Sequence, residues 1–144
     1  MTDGQKPQVT VPTGEAPPTD LVVEDVEEGA GAETYDQIGS ADSKRLAGLV
    51  YEEVVRAMSQ YKVAWVADRD AGAKYRPGNN GDYYAMLRQP GKVVSVLAEL
   101  AFISNPAEAE LIARADVQKV EGEAVARGIL RYLTTNDPGS LVVR

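Results

Sequence analysis

Glu99 is the residue of this 144-residue sequence whose position most favours acid–base chemistry. It directly follows an apolar, valine-rich run, Val93-Val94-Ser95-Val96-Leu97-Ala98, which begins after Pro90-Gly91. Such a run predicts a strand buried on both faces, as in parallel sheets. A single carboxylate at the carboxyl end of a buried strand lies where open α/β sheets place their active sites. Because an apolar environment disfavours the charged form, we expect the pKa of Glu99 to be raised.

A structural role for Glu99 is also open, since a carboxylate at a strand end can pair with an arginine or cap a nearby helix. The residues that follow predict such a helix. Asn105 is suited to the N-cap, Pro106 to the first helical position, and Glu108 to the acidic position of a capping box.

A second polar cluster lies in the Gly-rich segment 68–82. Its three aspartates suggest calcium, but their spacing does not match an EF-hand, which needs alternate ligands closed by a glutamate. Its basic residues suggest an anionic ligand, although a solvated loop explains them equally well. The aspartates are Asp68, Asp70 and Asp82, and the basic residues are Arg69, Lys74 and Arg76.

Composition excludes several classes of protein. Without cysteine or histidine, the sequence lacks disulfides, thiolate chemistry, and the usual metal ligand and general base. No run is long enough for a membrane span, and the N-terminus has no signal-peptide core, so we expect a cytoplasmic protein as the chain stands. Residues 1–36 hold nine acids and one base, which leaves the remainder almost neutral and without a basic face for nucleic acid.

The elements that must position Glu99 are those of an α/β fold. Residues 1–39 are acidic and rich in Pro and Gly, which predicts a largely disordered leader. The spacing of apolar residues then predicts two long helices, two further strands and a short helix after Asn105. These predicted elements are a helix over Ser43–Tyr61 capped by Asp42, strands over Val63–Val66 and Tyr83–Leu87, a helix from Pro106 to Arg114, and a helix over Val117–Leu133 capped by Asp116. Gly128 weakens the last helix unless close packing uses its missing side chain.

The leader resembles the start of FKBP-type peptidyl-prolyl isomerases. The shared features, in order, are Pro7, Pro12, Gly14, Pro17-Pro18, Asp20-Leu21 and Gly29-Ala30-Gly31. The isomerase barrel and its aromatic residues do not follow, so no isomerase site is assigned.

The body resembles the C-terminal half of zinc-dependent N-acetylmuramoyl-L-alanine amidases. The most specific segment is VLAELAFISNPAEAELI, from Val96 to Ile112, which is close to the family pattern V-L-V-E-x-G-F-x-S-N-x-x-E. Ser43 to Ala47, Tyr84-x-x-Leu87-Arg88 and the end of the final helix also match. Ala101 stands where the family has glycine.

The resemblance implies that Glu99 is the catalytic acid–base residue beside a zinc-bound water, and that peptidoglycan is the substrate. It also implies a zinc ion held by two histidines and a glutamate from the N-terminal half of the family domain. This sequence has no histidine, so we expect no metal ligands in it and no hydrolysis without them.

The sequence therefore predicts an α/β protein with a partial mixed sheet and flanking helices, a truncated amidase fold behind a disordered leader. We divide it into the leader (1–39), the C-terminal half of an amidase domain (40–134) and a tail (135–144). Apolar surface left by the missing half would favour self-association. By family the protein is a peptidoglycan hydrolase of the cell envelope. The alternatives are a non-catalytic module that binds peptidoglycan or protein, and a peptidyl-prolyl isomerase.

Overall fold

The computed structural model describes residues 30–61 and 72–139 as a mixed α/β fold. Its elements in chain order are β1 (Glu33–Asp36), α1 (Ala41–Met58), β2 (Gly72–Lys74), β3 (Pro77–Gly78), β4 (Gly81–Asp82), α2 (Ala85–Arg88), β5 (Val96–Glu99), α3 (Pro106–Ile112) and α4 (Ala115–Thr134). Strand β1 lies between β2, which is parallel to it, and β5, which is antiparallel. Strands β3 and β4 form a separate hairpin. The predicted α/β class with a small mixed sheet and flanking helices is confirmed.

Helices α1 and α4 pack together, and α1 covers one face of the sheet. The Thr34 hydroxyl donates a hydrogen bond to the carbonyl of Ala47, at 3.1 Å, and so joins β1 to α1. The apolar core between the sheet and the helices consists of Ala32, Val50, Val54, Met58, Leu111, Val117 and Ala124. Within the described residues, neither long helix has the apolar length that crossing a membrane requires.

The close approach of α1 and α4 depends on Gly128. A Cβ atom at this position would lie 2.6 Å from the Cα of Val50 and 3.0 Å from its backbone nitrogen. Only glycine allows the two backbones to approach this closely. Next to this contact, the buried Glu53 carboxylate binds Arg131 at 2.8 Å and Arg127 at 3.2 Å. Burial alone would raise the pKa of Glu53, but the hydrogen bonds from these two arginines lower it.

A second buried carboxylate, Glu108, joins the ends of β1 and β5 that lie at the same end of the sheet. Its side chain is 1% exposed and accepts hydrogen bonds from the backbone N–H groups of Gly31, at 2.6 Å, and Phe102, at 2.8 Å. Gly31 precedes β1 and Phe102 follows β5. Glu108 is therefore not the capping-box residue that the sequence predicts, because its carboxylate accepts from these distant N–H groups. Asn105 is the N-cap as predicted, accepting from Ala107 and Glu108.

The largest difference from the sequence-based prediction concerns the leader. The sequence predicts residues 1–39 as a separate, largely disordered segment, yet β1 lies within them and is the central strand of the sheet. The acidic composition conceals this strand, since Glu33 and Asp36 are both buried in the fold. At the other end of the chain, residues 135–139 pack on α1, because Arg45 donates hydrogen bonds to the carbonyls of Thr135 and Asp137.

Two predicted strands differ from the structure. The strand predicted over Tyr83–Leu87 is wrong, because the carbonyl of Tyr84 accepts from the N–H groups of Leu87 and Arg88 and so begins the short helix α2. Strand β5 begins at Val96, and it is only half-buried because it forms an edge of the described sheet. The strand predicted over Val63–Val66 lies outside the described residues.

The predicted helices are present with shifted ends. Ser40, not Asp42, caps α1. Helix α4 begins one residue before Asp116, which pairs with Arg114 at 2.6 Å instead of capping. The apolar side chains of Ile129, Leu130 and Leu133 in α4 are exposed. The approach at Gly128 fixes which face of α4 is buried. This exposed apolar surface is consistent with self-association, which stays a prediction.

We expect Gly128→Ala to destabilise the protein by about 1–3 kcal/mol, because the new methyl group meets the backbone of Val50, which cannot move without shifting α1. Gly122→Ala is the matched control on the same helix. A methyl group at position 122 would have no atom within 4 Å, so this variant should gain up to about 1 kcal/mol from helix propensity. Urea denaturation measures both, and equal stability of the two variants would contradict the close approach.

Glu108→Gln should reduce the free energy of unfolding by about 2–3 kcal/mol, since an amide has one acceptor oxygen for two buried donors. Glu110→Gln, at an exposed position of the same helix, should change stability by less than about 0.5 kcal/mol. Chemical denaturation measures the free energy of unfolding of both variants. A loss no larger in Glu108→Gln than in Glu110→Gln would show that Glu108 does not join the start of β1 to the end of β5.

Candidate active site

Glu99 is the last residue of β5 and lies directly opposite Glu33 of β1 in the antiparallel register. Directly opposite residues of an antiparallel pair project to the same face of the sheet, and successive residues alternate between faces. Thr34, the neighbour of Glu33, faces α1. The Glu33 and Glu99 carboxylates therefore share the face of the sheet that points away from α1.

The Glu33 carboxylate is buried and fully engaged by two partners. The hydroxyl of Tyr35 donates to its Oε2 at 2.6 Å, and the ammonium of Lys74 lies 2.6 Å from its Oε1. Tyr35 follows two residues later on the same strand, and Lys74 lies opposite Tyr35 on β2. Burial and the adjacent Glu33 raise the pKa of Tyr35, so its hydroxyl stays protonated and donates. Glu33, Tyr35 and Lys74 thus form a cluster in which the negative charge of Glu33 is balanced by Lys74.

Glu99 has a different environment from that of Glu33. Burial raises the pKa of Glu99, the negative charge of Glu33 raises it further, and the charges of Lys74 and Arg76 lower it. Among the described residues Glu99 forms no ion pair, and Asn105 is the cap of α3. Within residues 30–61 and 72–139, therefore, Glu99 has neither of the two structural roles that the sequence leaves open, which are an arginine partner and a helix cap. A half-buried carboxylate with a raised pKa can exchange a proton closer to neutral pH.

Three tyrosines and an arginine extend this face beyond the carboxylates. Tyr84 packs edge-on against Tyr35, with ring centroids 5.0 Å apart, and against Tyr83 at 5.2 Å. The guanidinium carbon of Arg76 lies 4.1 Å from the centroid of the Tyr83 ring. Tyr83 is 53% exposed, so the outer end of this aromatic group is accessible to a ligand.

The groups around Glu99 do not form a set of metal ligands. The sequence contains neither histidine nor cysteine, and no three acidic side chains converge anywhere in residues 30–61 and 72–139. The carboxylate nearest to Glu99 in register is already neutralised by Lys74. Catalytic zinc takes three protein ligands, most often including histidine. The side chains in the described part of the chain therefore do not fit a zinc ion.

The acidic loop predicted from the sequence does not form a calcium site in its described part. Asp82 is buried and accepts a hydrogen bond from the N–H of Ile38 at 2.9 Å, which is a structural role. Asp68 and Asp70 lie outside the described residues, as does Arg69.

Sequence reasoning finds Glu99 but misses Glu33 and Tyr35, because acidic composition assigns both to the leader. The available signal is their spacing of two, which puts both side chains on one face of a strand. The sequence indicates Lys74 and Arg76 only as loop cations, although Lys74 ends a strand that pairs with β1.

Glu33→Gln should lower the pKa of Glu99, because it removes a like charge directly opposite and leaves Lys74 free to act on Glu99. A carboxyl-carbon NMR titration of ¹³C-glutamate-labelled protein measures this pKa. Asp116→Asn, which removes a carboxylate at an exposed and remote position, serves as the control and should leave the Glu99 titration unchanged. An unchanged or higher midpoint in Glu33→Gln would contradict the coupling.

Comparison with known proteins identifies the family of this fold. The family described as N-acetylmuramoyl-L-alanine amidase (Amidase_3) matches residues 23–131. The chain is 32% identical over 95 residues to the N-acetylmuramoyl-L-alanine amidase AmiC of Neisseria meningitidis serogroup B, which covers 66% of this chain and 19% of AmiC. It is 29% identical over 109 residues to the uncharacterized protein YqiI of Bacillus subtilis, covering 74% of this chain and 46% of YqiI.

Two solved structures share the fold. The CwlD amidase from Clostridioides difficile, determined in complex with the GerS lipoprotein, superposes with a TM-score of 0.62 at 26% identity, over 77% of this chain and 50% of CwlD. An N-acetylmuramoyl-L-alanine amidase from Clostridium difficile 630 gives a TM-score of 0.61 at 25% identity, over 79% of this chain and 54% of the other.

The chain thus spans about half or less of the length of these relatives. The isomerase resemblance of the leader receives no support from these matches. The family match covers well over half of the sequence and includes both β1 and β5, the strands that carry Glu33 and Glu99. The chain therefore belongs to the N-acetylmuramoyl-L-alanine amidase family.

Proposed function

We propose that this protein acts in peptidoglycan hydrolysis, at the amide bond between N-acetylmuramic acid and L-alanine, and that Glu99 is its acid–base residue. The observation that carries this proposal is the position of Glu99. It lies at the carboxyl end of β5, opposite a second carboxylate and without an ion-pair partner among the described residues, within the segment that matches the amidase family. This function places the substrate of the protein in the cell envelope.

The role of Glu99 follows from the chemistry of amide hydrolysis. As a carboxylate, it accepts a proton from the water that attacks the amide carbon. It then gives this proton to the departing alanine nitrogen as the carbon–nitrogen bond breaks. Both tasks require a carboxyl group whose pKa lies closer to neutral than that of an exposed glutamate, and burial together with Glu33 shifts the pKa of Glu99 in that direction. Positioned acid–base groups contribute about 10²–10⁴-fold to rates.

The family is zinc-dependent, and this chain lacks the nitrogen and sulfur ligands that zinc prefers. We therefore assign no step to a metal held by this chain. In this proposal the residues of this sequence supply the substrate surface and the acid–base carboxylate, and residues outside this sequence supply the zinc ligands.

A non-catalytic module that binds peptidoglycan is the second candidate. The absence of histidine from the whole sequence favours it specifically, because the surface around Glu99 can bind a ligand without a metal. The hydrolase should cleave the amide bond when zinc ligands are provided, whereas the non-catalytic module should not.

The experiment mixes the full chain with the histidine-bearing N-terminal segment of a family amidase, zinc and purified peptidoglycan. Release of free alanine amino groups measures cleavage. We expect cleavage only in the mixture, and a loss of about 10²–10⁴-fold with Glu99→Gln. Sedimentation with peptidoglycan should be unchanged in Glu99→Gln, since the substitution keeps the shape of the side chain.

Glu123→Gln, on the exposed side of α4, is the matched control and should leave cleavage unchanged. Binding without cleavage in every mixture would favour the non-catalytic module. Equal cleavage by Glu99→Gln and the unsubstituted protein would refute the role of Glu99.

A further inference from the structure

Arg76 differs from the other arginines in the described part of the chain. Each of the others is held by a carboxylate or by backbone carbonyl oxygens. Arg45 and Arg88 donate to carbonyls, and Arg56, Arg114, Arg127 and Arg131 pair with acidic side chains. Arg76 is exposed, and its side chain contacts the rings of Tyr83 and Tyr84. Among the described residues it forms no ion pair, and it acts on Glu99 only through the charge interaction that lowers the pKa of Glu99. Its positive charge is therefore available to a ligand.

The Arg76 guanidinium is oriented by the aromatic group of the candidate active site. It lies 4.1 Å from the ring centroid of Tyr83 and 6.0 Å from that of Tyr84. A guanidinium over an aromatic ring is attracted by the negative face of the ring, and this contact restricts the side chain before a ligand binds. The ring of Tyr83 covers one face of the guanidinium, and the Tyr84 side chain also engages it. The remaining N–H donors on its exposed edge can bind a planar anion.

Arg76 belongs to the same face of the sheet as Glu99. Tyr84 contacts Tyr35, whose hydroxyl binds Glu33, and Glu33 lies opposite Glu99. This continuous series of contacts joins the arginine to the acid–base residue. A substrate whose amide bond is at Glu99 would extend along the aromatic side chains towards Arg76.

The charge of the substrate indicates which part reaches Arg76. The carboxyl group of N-acetylmuramic acid is consumed in the amide bond that is cleaved, so the sugar side carries no carboxylate. The peptide side carries carboxylates at its acidic residues and its C-terminus. Arginine binds carboxylates through two parallel hydrogen bonds, which adds geometric selectivity to the charge attraction.

We propose that Arg76, held on Tyr83 and Tyr84, is a specificity-determining residue that binds a carboxylate of the peptide on the alanine side of the amide bond. This inference rests on the proposed function for the identity of the ligand. It adds a recognition site for an acidic peptide to the acid–base role of Glu99.

The test measures binding of muramyl dipeptide, N-acetylmuramyl-L-alanyl-D-isoglutamine, which has one free carboxylate, and of its amide, which has none. Isothermal titration calorimetry on the full chain gives both affinities. We expect the acid to bind at least about tenfold more tightly than the amide, because a hydrogen-bonded charge pair is lost in the amide. Arg76→Gln should bind the two compounds equally, at the level of the amide.

Two further variants separate recognition from folding. Arg76→Lys keeps the charge but loses the planar pair of donors, so it should retain only part of the preference for the acid. Arg114→Gln is the matched control. Arg114 also lies near a tyrosine ring, 5.8 Å from the centroid of Tyr61, but it pairs with Asp116 and belongs to a part of the chain other than the candidate active site. Its affinities should equal those of the unsubstituted protein.

Equal affinity of the unsubstituted protein for acid and amide, absence of saturable binding, or an unchanged preference in Arg76→Gln would each overturn the proposal. The binding measurement requires no cleavage. A preference for the acid that depends on Arg76, without cleavage in the mixing experiment, would uphold this site and reject the hydrolytic function. Cleavage in the mixing experiment without a preference for the acid would uphold the hydrolytic function and reject the Arg76 site.

Discussion

The carboxylate of Glu108 is the constraint on which the arrangement of the sheet depends. It accepts hydrogen bonds from the chain just before β1 and just after β5, and it is almost completely buried. A buried carboxylate without these donors would be costly, so the two strand ends are held together by the requirement to satisfy it. This contact favours the register in which Glu33 lies opposite Glu99. The geometry of the candidate active site therefore originates in a residue of α3 that takes no part in its chemistry.

The two facing carboxylates have different roles because their surroundings differ. Glu33 is buried against Lys74 and Tyr35, so its charge is compensated within the sheet. Glu99 is half-buried and has no such partner among the described residues, and Glu33 adds to the cost of ionising it. Pairs of titratable groups with unlike environments are the usual means by which one carboxyl group carries protons while its neighbour remains charged. Arg76 and the tyrosines complete this face with a group suited to an anionic ligand.

The sequence predicted the long helices, the N-cap at Asn105 and the position of Glu99, because periodicity and capping are local signals. It did not predict β1, since a four-residue strand within acidic sequence is recognisable only by its partners on either side. It predicted Tyr83–Leu87 as a strand from its aromatic and apolar residues, where local hydrogen bonds to the Tyr84 carbonyl form a helix. The sequence indicates that close packing could use Gly128, but no local pattern identifies Val50 of α1 as the residue packed against it. The features that could not be predicted, such as β1 and the contact at Gly128, thus depend on contacts between distant parts of the chain.

In this amidase fold Lys74, Tyr35 and Arg76 surround the two facing carboxylates, and we propose that this sequence does not itself bind the zinc of its family. Zinc titration of the full chain by calorimetry at neutral pH tests this claim most directly. The donor set predicts no stoichiometric binding tighter than about 1 μM, because carboxylates alone are poor ligands for zinc. One zinc ion bound per chain at higher affinity, and lost in Glu99→Gln or Glu33→Gln, would contradict it.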